Sequence, residues 1–312
     1  MIISASRRTD IPTYYSQWFY NRIKEGFVLV RNPMNIHQIS KINLSPDVVD
    51  AIVFWTKNPA PMIERLDEIK DYNYYFQFTL NSYGTDIEAN VPNKNDKVIP
   101  TFKKLSDKIG KEKVIWRYDP ILLNDKYTVD YHIEFFDKLA SMLSNYTEKC
   151  VISFIDSYTK ISKALKENNI NEPTMIEMHT IAKSFSEIAR KYNLKLTSCA
   201  EKVDLSQYGI EHGKCIDDKL IERIAGFSLN VDKDKNQRLE CGCVASVDIG
   251  MYNTCKNGCK YCYANYSEKQ VDNNFIKHDP QSALLYGEIT DEDKISDRKV
   301  TSCRECQMNL FE

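Results

Sequence analysis

Cys255, Cys259 and Cys262 stand in the run Cys255-Lys-Asn-Gly-Cys259-Lys-Tyr261-Cys262, a C-x₃-C-x₂-C spacing with an aromatic residue just before the last cysteine. Thiolates that close together can hold three irons of a cubane [4Fe–4S] cluster and leave the fourth iron without a protein ligand. That open iron is a place where a small molecule can bind and receive an electron. Zinc and disulfides are the rival readings. Structural zinc usually draws on four N/S ligands, often as two pairs. Disulfide pairing would leave one thiol over and needs an oxidising compartment. The triplet reads first as a cluster site.

Upstream lie Cys199 in Ser198-Cys199-Ala200-Glu201, Cys215 in Gly213-Lys-Cys215-Ile, and the pair Cys241-Gly-Cys243. Brought together, their thiolates complete an auxiliary [4Fe–4S] cluster, with Gly242 letting the backbone fold tightly around it. A Cys₄ zinc site and scattered buried thiols are the alternatives. Cys303 and Cys306 form a C-x₂-C pair without obvious partners, and Cys150 opens an apolar strand and reads as core. The histidines show no H-x₃-H or H-E-x₂-H pattern; His132 and His179 fall on helical stretches as packing or surface residues. The 19 tyrosines lack the basic stripe of a base-stacking platform.

Positioning these groups takes a scaffold, and 312 residues suffice for one barrel-sized α/β domain or two smaller ones. With 42 basic against 44 acidic residues, no excess is available to coat nucleic acid, although a local basic groove stays open. The opening Met-Ile-Ile-Ser-Ala-Ser-Arg-Arg is too short an apolar run for a signal peptide. No stretch approaches the roughly 20 apolar residues of a membrane span. Ten cysteines without an export signal point to metal ligation in a reducing cytoplasm. The expectation is a soluble cytoplasmic enzyme with no membrane partner.

Strand patterns at Met1–Ser6, Phe27–Val30, Ala51–Trp55, Tyr74–Thr79, Lys113–Arg117, Cys150–Phe154 and Leu194–Ser198 alternate with helical ones. The clearest helix follows Pro173 and a possible capping box, Thr174-x-x-Glu177; another spans about Thr128 to Leu143. Such alternation predicts an α/β fold, a parallel sheet partly or fully closed into a (β/α) barrel. In barrels, functional residues sit past the C-terminal strand ends. Those ends carry polar groups here: Ser6, Arg8, Thr9 and Asp10; Thr56 and Lys57; Asn81; Arg117 and Asp119; Asp156 and Ser157; Cys199 and Glu201. Residues 231–238 read as a solvated loop, and the charged tail from about residue 291 as peripheral to a domain spanning 1–290.

The C-x₃-C-x₂-C run with its aromatic resembles the radical S-adenosylmethionine (SAM) enzymes, in which the open iron chelates SAM. The motifs Ser6-Arg-Arg-Thr9-Asp10, Thr56-Lys57, Glu88 with Pro92, and Arg117-Tyr-Asp119-Pro120 resemble the spore photoproduct lyase-like branch. The chain is most similar to the uncharacterised DUF1848 proteins, whose C-terminal cysteine cluster resembles the N-terminal one of radical SAM proteins. The resemblance implies a radical SAM-type barrel, circularly permuted so that the cluster-bearing strand and loop come last. It also implies reductive cleavage of SAM to a 5′-deoxyadenosyl radical acting on an unknown substrate, with electrons from a donor such as flavodoxin or ferredoxin. Cys255, Cys259 and Cys262 would ligate the SAM cluster, with Tyr261 near the adenine. Ser6, Arg8, Thr9 and Asp10 would face the SAM amino-acid moiety or ribose, Arg117 or Lys57 its carboxylate, and Asp119 the pocket. An iron–sulfur electron-transfer or metal-binding protein that never cleaves SAM is the competing reading.

Overall fold

The computed structural model describes residues 1–156 and 161–305. Its strands are β1 (Ile2–Ala5), β2 (Phe27–Asn32), β3 (Asn35–Asn43), β4 (Ala51–Thr56), β5 (Tyr74–Thr79) and β6 (Val114–Ile121). They continue with β7 (Lys149–Phe154), β8 (Lys195–Ser198), β9 (Glu211–His212), β10 (Val247–Asp248) and β11 (Lys294–Asp297). The main sheet runs β10-β1-β4-β5-β6-β7-β8-β9, and each neighbouring pair is parallel. The α/β class is therefore as expected. The order has two ends, β10 and β9, and among the described residues no pairing joins them into a ring.

Parallel strands need crossovers long enough for a helix, and the intervening helices supply them. The helix Met175–Lys191 carries the complete capping box of Thr174 and Glu177, and Val129–Leu143 is capped by the Thr128 side chain. Period-two alternation then divides the strand residues between two faces. Ile3, Phe54, Phe76, Trp116, Ile152 and Leu196 pack with helical Phe19, Phe102, Phe136 and Phe185. On the opposite face, Ile2, Val53, Tyr75, Ile115 and Val151 pack with Ile216, Leu220, Ile221, Leu229 and Val244. Both faces are covered, which explains the near-continuous apolar strands. What covers the second face is the cysteine-bearing stretch 215–244.

Two expectations need correction. Phe27–Val30 does not join the main sheet; as part of β2 it pairs antiparallel with β3, and β11 adds to β3 in parallel. β3 escapes a hydrophobicity reading because its burial pattern is mostly exposed. Residues 231–238 are not simply solvated, since Asp234 is buried and Arg238 pairs with Asp156 at 2.7 Å. Beyond Tyr263, Glu268–Ile276 forms a helix capped by Ser267. The charged tail stays exposed along β11 yet is tethered, with Cys303 N–H donating to Asp50 at 2.7 Å. Cys306 and Ser157 lie outside the described residues.

The first and last strands of the main sheet meet side by side, Ile3 against Val247 and Ser4 against Asp248. The Asp248 carboxylate accepts from Ser4 Oγ and Ser6 Oγ at 2.7 Å each, and from the backbone N–H of Arg7 and Gly250 at 2.9 Å. A Cβ at Gly250 would stand 2.6 Å from Ser6 Cβ, so only glycine allows this approach. Removing an acceptor shared by several donors leaves each of them unpaired. Asp248→Ala is expected to lower the unfolding free energy by about 3 kcal/mol in urea melts.

His132 is fully buried; its Nε2 donates to the Leu122 carbonyl at 2.8 Å, and Tyr118 Oη donates to Nδ1 at 2.8 Å. Burial, partly offset by the Leu122 bond, holds its pKa down at about 4 against an ordinary 6.5. The folded value is depressed, so this stabilisation is present above pH 6.5 and is lost as pH falls through about 4. His132→Gln should be less stable at pH 7 but lack that component of the decline between pH 6.5 and 4, measured by denaturant unfolding across pH.

Candidate functional site: two cysteine clusters at the strand ends

The loop bearing Cys255, Cys259 and Cys262 follows β10 directly and is held from two sides. On one side Asp10 caps the turn Ile11–Tyr14 through Thr13 N, and its other oxygen accepts from Lys57 N at 2.8 Å and Asn257 Nδ2 at 3.1 Å. Tyr14 and Tyr15 hydroxyls donate to Asn257 Oδ1 and the Thr254 carbonyl. On the other side Glu88 and Cys259 form an antiparallel bridge, and Asn90 N–H donates to the Asn257 carbonyl at 3.1 Å. Gly258 turns the loop at φ +66°, where a Cβ would come within 3.1 Å of Asn90 Nδ2.

Beneath this loop lies a buried ionic network. Lys57 Nζ stands 2.7 Å from Glu88 Oε1 and donates to Tyr261 Oη at 2.8 Å; Lys94 Nζ lies 2.7 Å from Glu88 Oε2. Tyr261 Oη also bonds Glu88, and Asn81 Nδ2 donates to the Tyr261 hydroxyl at 3.2 Å. Burial alone would raise the Glu88 pKa, but the two ammonium groups outweigh it and hold the carboxyl down at about 2. Lys57 and Tyr261, expected beside SAM, are thus engaged with Glu88. The Glu88–Pro92 motif is visible in the sequence and Lys94 follows it closely, but Lys57 and Tyr261 lie 31 and 173 positions from Glu88.

All three triplet cysteines line one cleft of about 780 Å³, together with Asn90, Lys163 and Glu167. Burial pushes their thiols up, Cys259 to about 12, so a metal binding there must displace protons. Ser6, Thr9, Asp10 and Lys57 do not line this cleft. Ser6 is bound to Asp248, Thr9 Oγ1 is buried without a hydrogen-bond partner, and Arg8 packs over the Tyr252 ring at 5.3 Å.

The other cysteines converge as a second set. Cys199 Sγ lies 3.1 Å from Cys215 Sγ, and Cys243 Sγ accepts from the backbone N–H of Cys215 and Ile216 at 3.2 and 3.4 Å. Cys241 bonds Cys243, which lowers its pKa to about 7. Gln77 Nε2 and Tyr75 Oη fasten the Cys215 carbonyl at 2.8 and 2.6 Å. Gly242 is not in the left-handed region; its missing Cβ instead gives room to the Lys214 stem.

Arg117 and Asp119 belong to this second set. Arg117 Nη1 donates to Cys215 Sγ at 2.7 Å and Nε to Asp119 Oδ2 at 3.0 Å. Glu201 accepts from Phe154 N–H, and burial first, then Asp156 and Asp119, raise its pKa to about 8. Arg7 and Asp248 were not singled out by sequence. A basic residue within a polar strand end and an acid closing a short strand were the available signals.

Among the described residues, no three His, Cys, Asp or Glu side chains stand ready-arranged around a metal ion. The described cysteines are all free thiols, so both sets retain soft sulfur donors. That donor chemistry fits an iron–sulfur group at either set.

The family model for a domain of unknown function, DUF1848, matches residues 2–264. No curated protein matches the chain. Among solved structures, a putative alpha-L-fucosidase from Bacteroides thetaiotaomicron is 12% identical, with a TM-score of 0.24. The match covers 50% of this chain and 66% of that one, a likeness too loose to argue from. No helix among the described residues is long and apolar enough to cross a membrane.

Breaking a buried ion pair by neutralising one partner strands the other charge, at a cost of about 3–5 kcal/mol. Glu88→Gln should therefore destabilise the protein by about that amount. Hydrogen exchange should also show lost backbone protection at Lys260, which donates to the Ile87 carbonyl.

Proposed function

This chain belongs to the DUF1848 family, and from that premise we propose that it is an iron–sulfur enzyme of radical SAM type. The observation that carries the reading is the opening of Cys255, Cys259 and Cys262 onto one cleft, from a loop lodged between the ends of β1 and β5. When bound there, a [4Fe–4S] cluster with one open iron supplies the electron that cleaves SAM to a 5′-deoxyadenosyl radical.

The chain's own residues do the rest. Cys255, Cys259 and Cys262 hold the cluster. Asp10, Asn257 and the Glu88 bridge fix the loop, as outer residues orient metal ligands generally. Lys57, Glu88, Lys94 and Tyr261 keep a charged but balanced floor behind the thiols. Cys199, Cys215, Cys241 and Cys243 hold a second [4Fe–4S] cluster. Of the strand-end groups expected to face SAM, Arg8 and Thr9 keep unused polar capacity outside the cleft lining, since Thr9 Oγ1 has no partner and Arg8 makes a 3.4 Å bond to the Gly250 carbonyl.

The test is product formation. Anaerobically reconstituted protein, reduced in the presence of SAM, should release 5′-deoxyadenosine, and the Cys255→Ala, Cys259→Ala and Cys262→Ala variants should each lose at least 100-fold. Clusters that load and reduce without releasing 5′-deoxyadenosine would leave the electron-transfer reading standing instead.

A further inference from the structure

This inference rests on the second centre of the proposed function and assigns two residues to it. Four thiolates around an iron–sulfur core carry surplus negative charge, and one-electron reduction adds more. In a buried setting that charge is costly unless cations or hydrogen-bond donors face it. The reduction potential of such a centre follows its net charge and the hydrogen bonds to its sulfurs.

Arg117 meets both conditions. It is buried, and its side chain approaches from the same sheet face as Tyr75 and Gln77, which fasten the Cys215 carbonyl. Nη1 donates to Cys215 Sγ at 2.7 Å and Nε to Asp119 Oδ2 at 3.0 Å. Ser153 Oγ in turn holds Asp119 Oδ1. The fork is therefore fixed in place, and a guanidinium cannot shed its proton here.

Arg7 approaches from the opposite edge, after β1. Its guanidinium lies over the Trp55 ring at 5.5 Å, and Nη1 stands 3.6 Å from Asp234 Oδ2. Nη2 is buried with no hydrogen-bond partner. An unpaired buried donor is costly to keep, and both groups that hold the Arg7 guanidinium belong to the surroundings of the second set: Trp55 packs with Cys215, Cys241 and Cys243, and Asp234 N–H donates to the Cys243 carbonyl at 2.9 Å. Its backbone carbonyl also accepts from Tyr263, the neighbour of Cys262, so Arg7 sits between the two cysteine sets.

We propose that Arg117 and Arg7 form a cationic clamp on the Cys199–Cys215–Cys241–Cys243 centre, raising its reduction potential so that it accepts electrons. They are positioning residues: neither ligates the metal. The step is the uptake of one electron from a low-potential one-electron donor, with no bond made or broken.

The test uses the full chain with Cys255, Cys259 and Cys262 changed to alanine, so that only the second centre titrates. Iron content and the midpoint potential are measured by anaerobic spectroelectrochemistry with dithionite. Arg117→Gln and Arg7→Gln should each shift the potential downward by roughly tenfold in the redox equilibrium, about 59 mV for a one-electron couple. Arg117→Lys, which keeps the charge, should recover most of the shift. Arg7→Gln serves if Arg117→Gln fails to fold or load. An iron-loaded centre with unchanged potentials, or one loaded with redox-silent zinc, overturns the clamp. If Cys199→Ser, Cys215→Ser, Cys241→Ser and Cys243→Ser together leave the iron content unchanged, the second centre itself falls.

Discussion

The parallel pairing of β1 with β10, clasped by Asp248, is the contact on which the site depends. It joins Ser4 and Ser6 to a residue more than 240 positions away. Because strand registry is fixed there, the loop that follows β10 emerges beside the end of β1, where Asp10 can reach Asn257. The cysteine triplet inherits its position from that clasp. A carboxylate accepting several charge-assisted bonds is well suited to the task, since such bonds are about twice as strong as neutral ones.

The polar strand ends then separate into two chemistries. Past β4 and β5, Lys57, Asn81 and Glu88 form the floor behind the triplet. Along β6 and β7, Arg117, Asp119 and Ser153 share the sheet face that packs on the second cysteine set. A row of charges at strand ends is costly unless each is paired, and here pairing has divided them by neighbourhood. Arg7 and Tyr263 stand at the boundary, joined by a hydrogen bond from the Tyr263 hydroxyl to the Arg7 carbonyl.

Much of this was legible beforehand. The strand–helix alternation, the capping box at Thr174 and the Thr128 start carried local signals strong enough to survive packing. The strand before the triplet entered through the family resemblance, and the structure pairs it with β1. β3 and β11 did not, because they are exposed and stabilised by pairing rather than by a buried stripe. At the site, residue types were readable and partners were not. Lys57 looked available for the SAM carboxylate because nothing local announces Glu88 and Tyr261 as its partners. Arg117 looked like a SAM ligand because a strand end does not say which cysteine set it faces. Period-two alternation does say so once the covering segment is known: Ile115 and Val151 pack on the Cys215 segment, and Arg117 follows Ile115 by two residues.

The central claim is that the triplet holds a cluster whose open iron takes SAM. Electron paramagnetic resonance of the anaerobically reduced protein, recorded with and without SAM, tests it most directly. The account predicts a reduced [4Fe–4S] signal that changes shape when SAM is added and that disappears in the Cys259→Ala variant, leaving only the signal of the second centre. A spectrum indifferent to SAM, or one unaltered by loss of Cys259, would contradict it.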